Sequence, residues 1–288
     1  MDSSNPSKYS IEFFPPRSEV GESKLDTVHA ELGKLNPDFF SVTYGAGGST
    51  KSGTQQIVLR YQAAGSRCAP HLSFGGSNEE ELRQILQVYI DAGIKRLVAL
   101  RGDMPSGVGA AVQHSYANEL VEFIRAETGD HFHIDVACYP ETHPESNSYA
   151  SDVSFFKDKV DAGANSAITQ YFYNPDAYFR FVDYCQAAGI DIPIVPGIMP
   201  ITNYANLARF SASCGAQIPR WLNKRLTGFG DDKESLRRFG IDVVTELCED
   251  LLQGGAPGLH FYSMNLSQAV TQIWTNLDLG NRPQRELL

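Results

Sequence analysis

The fold turns on the stretch Asp91-Ala92-Gly93-Ile94-Lys95-Arg96-Leu97-Val98-Ala99-Leu100-Arg101-Gly102-Asp103. A glycine placed at the end of an amphipathic segment stops a helix, because it takes up a backbone conformation that other residues resist. The apolar run Arg96–Leu100 follows at once and ends in polar residues. This reads as a helix end, a tight turn and a short buried strand. The same introduction recurs at Asp161-Ala162-Gly163-Ala164 and at Ala187-Ala188-Gly189-Ile190, with a looser copy at Gly254-Gly255-Ala256.

Outward from this unit the pattern repeats along the whole chain. The apolar runs are Ser10–Phe14, Phe39–Thr43, Ala69–Phe74, Arg96–Leu100, Ile134–Cys138, Ala167–Phe172, Ile192–Gly197 and Leu259–Ser263, eight in all, with amphipathic segments between them. Strands alternating with helices imply a parallel sheet, and eight such units close into a barrel. An open doubly wound sheet would carry a Gly-rich turn after its first strand. Here Phe14-Pro15-Pro16-Arg17 stands in that place. The expected fold class is therefore α/β, a single-domain (β/α)8 TIM barrel over residues 9–279. Residues 1–8 and the polar tail 280–288 are expected to be frayed. The segment 217–232 is the least regular part and is expected to be a plain connection.

The 288 residues, 42% of them hydrophobic, can bury one large core. A net charge of -10 without a Lys/Arg cluster argues against nucleic acid as a partner. Cys68, Cys138, Cys185, Cys214 and Cys248 form no C-x-x-C pair, which argues against a zinc site or a disulfide framework. The polar start of the chain is not a signal peptide, and no apolar run approaches the roughly 20 residues that span a bilayer. A cytoplasmic protein without a membrane partner is expected.

A barrel of this kind builds its active site at the C-terminal ends of its strands. Glu12 lies at the end of the first run and Thr43 closes the second, while His71 lies in the third. Arg101-Gly102-Asp103 follows the fourth, Tyr139-Pro140-Glu141 and His143 the fifth, and Gln170 lies in the sixth. Met199–Tyr204 follows the seventh, and Tyr262 and Asn265 belong to the eighth. Glu12 stands between Ile11 and Phe13 in a strand that a barrel buries. A buried carboxylate must find a partner or hold its proton. A raised pKa would suit a general acid; an ion pair with Arg17 or Arg101 is the structural alternative. His131 and His133 start a strand on the stability face and are discounted as metal ligands. With only His71 and His143 at the rim, no metal is expected. The absence of a strand-end lysine argues against Schiff-base chemistry. Tyr44, Phe74, Tyr139, Tyr171, Phe172, Tyr173, Tyr204 and Tyr262 crowd the rim, which suits a flat heteroaromatic ligand.

These residues also carry a resemblance. Glu12-Phe13-Phe14-Pro15-Pro16, Ser41-Val42-Thr43-Tyr44-Gly45-Ala46, Ala69-Pro70-His71-Leu72 and Ala99-Leu100-Arg101-Gly102-Asp103 come in order. Tyr139-Pro140-Glu141-Thr142-His143-Pro144-Glu145, Asp161–Gln170, Gly197-Ile198-Met199-Pro200 and His260-Phe261-Tyr262-Ser263-Met264-Asn265 follow them. The series resembles the bacterial methylenetetrahydrofolate reductases. The resemblance implies non-covalent FAD, NADH or NADPH as co-substrate, and a ping-pong reduction of 5,10-methylenetetrahydrofolate to 5-methyltetrahydrofolate. It implies Glu12 as the general acid that opens the folate ring, with Asp103 close to flavin and folate as the second catalytic residue. It places FAD contacts on Thr43, Tyr44, Ala46, His71, Arg101, Gly102, Asp103, Ala117, Tyr139, His143, Asp152 and Lys159. Arg101 and Lys159 would meet the diphosphate. Folate contacts fall on Asp103, Gln170 and Tyr204.

The chain departs from the pattern at Leu266, where many relatives carry an arginine that holds folate. Arg220, Lys224 and Arg225 are the candidate replacements. Bacterial relatives form homo-oligomers, often tetramers, so a homo-oligomer is expected. Eukaryotic relatives add a regulatory domain that binds S-adenosylmethionine after the barrel; on the resemblance to the bacterial members, NADH is expected over NADPH and no such inhibition is expected. Of the other readings, a different flavin barrel such as proline dehydrogenase fits Glu12 and Gln170 less well. A non-redox lyase or hydrolase lacks its metal cluster or lysine. A silent binding protein would not need Glu12, Asp103 and Gln170 together.

Overall fold

The computed structural model describes residues 8–44, 51–74, 78–101 and 116–281. Strands and helices alternate. β1 (Lys8–Phe13) leads to α1 (Glu19–Gly33), β2 (Phe39–Val42) to α2 (Lys51–Ala63), and β3 (Cys68–Leu72) to α3 (Glu79–Asp91). β4 (Arg96–Ala99), α4 (Ala117–Thr128), β5 (His133–Cys138), α5 (Tyr149–Asp161), β6 (Ser166–Thr169) and α6 (Pro175–Ala187) continue the series. β7 (Ile194–Val195) and β8 (Gly197–Ile198) then precede α7 (Tyr204–Cys214), α8 (Arg220–Gly228) and α9 (Lys233–Gln253). β9 (Gly258–Tyr262), α10 (Gln268–Asn276) and a short 3-10 turn (Leu279–Asn281) end the described chain.

The helix-stop signature falls where it was read. α3 ends at Asp91, and Gly93 turns the chain with a φ of 74°, a value that an L side chain resists. Gly163 and Gly189 repeat the device. At the other end of α3, Asn78 accepts from Glu81 N, and Glu79, Glu80 and Glu81 sit in the first turn. A side-chain cap and acidic residues there satisfy free N–H groups and oppose the helix dipole. Leu82, Leu86 and Tyr89 lie along one stripe of α3 and are buried against the sheet.

Every strand pair is parallel, in the order β7-β6-β5-β4-β3-β2-β1-β9-β8. The two ends of this list are one stretch of chain. β7 pairs with β6, and β8, only Pro196 away, pairs with β9, so the sheet closes on itself. The seventh expected strand is thus present but split. Pro196 has no N–H for the ladder, although its carbonyl still accepts from His260 N at 3.0 Å.

The segment 217–232 was expected to be a plain connection and is largely helical. Pro219 stands at the N-cap of α8, and Leu222 and Leu226, four apart, are its buried residues. One helical turn separates those two leucines, and that spacing fixed the helix despite Trp221 facing solvent at 54% exposure.

Most of the core lies between the sheet and its helices. Inside the barrel the packing is partly polar. Phe39, Ala69, Val98 and Ile168 form a small apolar layer. Buried polar groups flank it: Ser10, Ser41, His71, Asp135, Ser166 and His260. Asp135 is held by Arg96 Nη1 at 3.2 Å, by a hydrogen bond from Ser166 Oγ, and by His133 Nε2 at 3.7 Å. Burial alone would raise the Asp135 pKa, but the charge of Arg96 and the hydrogen bonds outweigh it, and the carboxyl is held at about 2.

Acid stability follows from that shift. A carboxyl whose pKa is depressed by folding stabilises the protein above its unfolded pKa of about 4 and loses that contribution as pH falls toward its folded pKa. Stability is expected to hold down to about pH 4 and then drop steeply toward pH 2. Asp135→Asn is expected to flatten the drop, as measured by denaturant unfolding at stepped pH. An equally steep drop in Asp135→Asn would remove the assignment.

Candidate active site

The C-terminal ends of the strands gather the polar groups read from the sequence. Glu12 rises from β1, which lies between β2 and β9. Its register sets Ser41 on one side and Tyr262 on the other. Neither Arg17 nor Arg101 is its partner. Two histidines converge on the same carboxylate oxygen instead: His71 Nε2 lies 3.3 Å from Glu12 Oε2, and His260 Nε2 lies 3.5 Å from it. His260 is fully buried, and its Nδ1 sits 2.7 Å from Ser10 Oγ. Of the two readings open for Glu12, a raised pKa or a paired carboxylate, the structure gives the paired one. Burial, the largest influence, pushes its pKa up. The charge of His71 and the hydrogen bond from His260 more than offset this and hold it at about 2.

Neighbouring contacts fix this corner. Ser263 Oγ donates to Glu12 O at 2.6 Å. Asn265 accepts from Phe14 N at 3.1 Å and donates to Phe14 O at 2.8 Å, tying the end of β1 to the loop after β9. Met264 and Asn265 both have a φ of 54°, a left-handed pair that costs energy and is held by these bonds.

Tyr262 depends on a glycine of the neighbouring strand β8. Its hydroxyl donates to Thr169 O at 2.7 Å. A Cβ on Gly197 would come within 2.2 Å of Thr169 O and 2.6 Å of the Tyr262 ring. Gly197→Ala is therefore expected to displace Tyr262 and cost about 1–3 kcal/mol, the usual range for overpacking. Denaturant unfolding measures this. A variant as stable as the parent would show that the barrel yields easily here.

The expected flavin residues form one arc of the rim. Thr43 and Tyr44 follow β2, His71 is on β3, Arg101 follows β4, Ala117 opens α4, and Tyr139 and His143 follow β5. Asp152 and Lys159 stand on α5. Tyr139 and His143 meet ring to ring with centroids 4.5 Å apart, and Asp152 Oδ2 accepts from His143 N at 2.8 Å. The two expected diphosphate cations are engaged elsewhere. Arg101 pairs with Glu145 at 2.6 Å and lies 5.6 Å over the Tyr116 ring, while Lys159 Nζ donates to Ala137 O at 2.5 Å. Ala46, Gly102 and Asp103 lie outside the described residues.

The expected folate residues lie on the following arc. Gln170, at the end of β6, turns its Oε1 onto Tyr171 N at 3.0 Å. Tyr204 opens α7, and its hydroxyl donates to Asn223 of α8 at 2.5 Å. Arg220, Lys224 and Arg225 all belong to α8. Arg225 lies 5.3 Å over the Phe239 ring, and Leu266 is 49% exposed.

These residues suit a polar-edged aromatic cofactor at β2 and β3. Thr43 Oγ1 and Ser41 Oγ are buried there without a hydrogen-bond partner among the described residues. Buried polar atoms are nearly always paired in native proteins, so these two hydroxyls are candidates to meet a bound group.

His260 and Ser10 were missed as site residues, although His260 stood in a quoted motif. The signal was strand parity. Ser10 lies two residues before Glu12, and His260 two before Tyr262, so each pair shares the barrel's inner face.

Known proteins resemble the whole chain. A family model described as Methylenetetrahydrofolate reductase matches residues 2–278. The 5,10-methylenetetrahydrofolate reductase of Pectobacterium carotovorum is 40% identical over 275 residues, covering 95% of this chain and 90% of that protein. Methylenetetrahydrofolate reductase (NADH) 1 of Arabidopsis thaliana is 38% identical over 285 residues, which span 94% of this chain and 48% of the plant protein. A solved structure from Clostridium thermocellum, described as binding two copies of 5-methyl-5,6,7,8-tetrahydrofolic acid, superposes with a TM-score of 0.64 at 18% identity. It covers 96% of this chain and 95% of its own, a likeness of fold.

Proposed function

The chain belongs to the methylenetetrahydrofolate reductase family, and from that membership we propose that it reduces 5,10-methylenetetrahydrofolate to 5-methyltetrahydrofolate with NAD(P)H and bound FAD. One observation in this chain carries the reading furthest. Glu12 holds a carboxyl at the inner rim, with both histidine contacts on Oε2 and neither on Oε1. That leaves an oxygen to meet substrate.

The folate needs a proton on a ring nitrogen before its five-membered ring opens to the iminium ion that can accept hydride. Glu12 is the group placed to deliver it. The flavin, when bound, supplies the hydride chemistry that couples the pyridine nucleotide to the folate. Thr43, Tyr44, His71, Tyr139 and His143 would hold that cofactor along β2 to β5, with Ala117, Asp152 and Lys159 behind them. Arg101 and Lys159 would reach its diphosphate by exchanging Glu145 and the Ala137 carbonyl for phosphate oxygens, charge-assisted bonds stronger than a carbonyl offers. Ala46, Gly102 and Asp103 complete the assignment, with Asp103 giving a negative charge that favours the cationic folate.

Gln170 would turn from Tyr171 N to the folate. Tyr204 would stack on folate or nicotinamide, since its ring is set by α7 and its hydroxyl by Asn223. The two substrates would take turns in one site. The name of the plant relative supports NADH as reductant. A homo-oligomer is part of the proposal. Among the described residues no helix is long and apolar enough to cross a membrane.

Anaerobic stopped-flow absorbance of the FAD-loaded protein tests the proposal. Bleaching by NADH and recovery on adding methylenetetrahydrofolate is the expected result. Bleaching without recovery would leave a flavin barrel with another acceptor. The lack of a flavin spectrum after added FAD would overturn the cofactor assignment.

A further inference from the structure

We propose that Glu141 is a positioning residue that ties the loop after β5, which carries Tyr139 and His143, to the helix pair that presents Tyr204, so that one hydrogen bond sets the spacing between flavin and folate. The inference rests on the reductase reading and adds to it a residue outside the assigned contacts. It begins with strain. Thr142 has a φ of 73°, a left-handed conformation that a β-branched residue takes only when its surroundings impose it. After Thr142 the loop is well held: Asp152 Oδ2 accepts from His143 N at 2.8 Å, and His143 Nδ1 accepts from Glu145 N at 3.1 Å. Before it, Thr142 N reaches Tyr139 O at only 3.4 Å. The firmer tie on that side is long-range. Glu141 Oε2 accepts from Gln217 N at 2.8 Å, 76 residues away.

Gln217 is the midpoint of residues 215–219, which join α7 to α8. α7 has 11 residues and so rises about 16 Å from end to end. Yet Tyr204, at its start, bonds Asn223 in the first turn of α8. The connection must therefore run back along nearly the whole of α7. At about 3.3 Å per extended residue it has little slack, so the place where it is pinned decides where Asn223 meets the Tyr204 hydroxyl. Glu141 pins it at the midpoint. Beside this bond the two segments meet again: Gly215 turns with a φ of 78°, and a Cβ on it would come within 2.9 Å of Pro144 Cγ. The C-terminal end of α7 is anchored independently, with Ser211 Oγ 3.0 Å from the hydroxyl of Tyr171, the residue after Gln170.

Reach, not charge, is what this contact asks of residue 141. A backbone N–H needs an acceptor oxygen at the right distance, and a carboxylate or an amide supplies one equally. Burial raises the Glu141 pKa, against the Gln217 N–H and the charge of Arg180, so a neutral side chain suits the position. When the bond is lost, Thr142 is free to leave its left-handed conformation and to carry Tyr139 and His143 away from the cofactor. Residues 215–219 are free at the same moment to shift Asn223, and with it Tyr204. Glu141 thus acts on both ligands through other residues.

The test compares the parent with Glu141→Ala, Glu141→Gln and Glu141→Asp. FAD affinity is read from the change in FAD fluorescence on titration with apoprotein, and the folate half-reaction from stopped-flow at saturating FAD. Glu141→Ala is expected to weaken FAD binding and to raise the half-saturating folate concentration, each by roughly 3–10-fold, the worth of one hydrogen bond, with the limiting rate within about twofold of the parent. Glu141→Asp keeps the charge but draws the oxygen back by one methylene. It is expected to shift both quantities the same way, and it serves if Glu141→Ala does not fold. Glu141→Gln keeps the reach and is expected to hold both within about twofold of the parent. A Glu141→Ala protein with parental FAD affinity and parental half-saturation, or a Glu141→Gln protein as impaired as Glu141→Ala, would overturn the tie. So would a loss confined to one of the two ligands, since a single joint should move both. If the parent binds FAD but passes no hydride to methylenetetrahydrofolate, the reductase reading fails on its own, and the FAD titrations still decide whether Glu141 holds the loop.

Discussion

Glu12→Gln is expected to slow folate reduction by about 10²–10⁴-fold, the range that a positioned general acid supplies. It is also expected to leave reduction of the flavin by NADH within a few-fold of the parent. Glutamine keeps the length and the acceptor oxygen of Glu12, so its place beside Tyr262 in the strand register and the bond from Ser263 to the Glu12 backbone remain. What it loses is the ability to carry a proton to the substrate. The pyridine-nucleotide half-reaction needs no such proton from this residue. The two half-reactions should therefore separate cleanly in stopped-flow. Comparable losses in both would mean that Glu12 shapes the site rather than donating, and a near-parental folate rate would remove its role altogether. The low pKa of the ligand-free carboxyl does not contradict the prediction. Burial is already the largest single influence on Glu12 and acts upward. Closing the site over substrate adds desolvation on the same side.

The frame of the molecule was legible because its signals are local. A glycine after an amphipathic stripe followed by a short apolar run is decided within a few residues, and Gly93 ends α3 as read. The rim was legible for a related reason: strand ends carry function in this architecture, so polar residues there stood out against apolar runs. The misreadings lie where distant partners decide. Nothing near Glu12 in sequence announces His71 or His260, which reach it from β3 and β9. Arg17 and Arg101 were nearer to hand as motif residues, yet Arg101 finds Glu145. Pairing of Glu12 with a cation was one of the two readings open in the sequence, and the structure supplies two imidazoles where an arginine was the candidate. α8 was missed because its glycines and proline masked a two-leucine stripe that makes sense only once there is a surface for it to cover.

The second large effect belongs to the other end of the barrel. Arg96→Leu is expected to cost about 3–5 kcal/mol, the penalty for leaving one partner of a buried ion pair alone. Asp135 is fully buried, and Arg96 is the strongest influence holding its charge. Ser166 and His133 remain, but a hydroxyl and a partly exposed imidazole do not replace a guanidinium 3.2 Å away. Leucine also gives up the contact of the guanidinium over the Phe39 ring at 4.4 Å, which adds to the loss. The pH dependence identifies the cause. Without Arg96, burial dominates and raises the Asp135 pKa above its unfolded value, so acid now relieves the buried charge. The parent should lose stability as pH falls from about 4, whereas the deficit of Arg96→Leu relative to the parent should shrink over the same interval. Asp135→Asn combined with Arg96→Leu should recover part of the loss at neutral pH, since an amide carries no charge to desolvate. Unfolding free energies of the four proteins at pH 7, pH 4 and about pH 3 decide the matter. A deficit that stays constant with pH, or a double variant no more stable than Arg96→Leu, would assign the loss to packing around Phe39 instead of to an unpaired carboxylate.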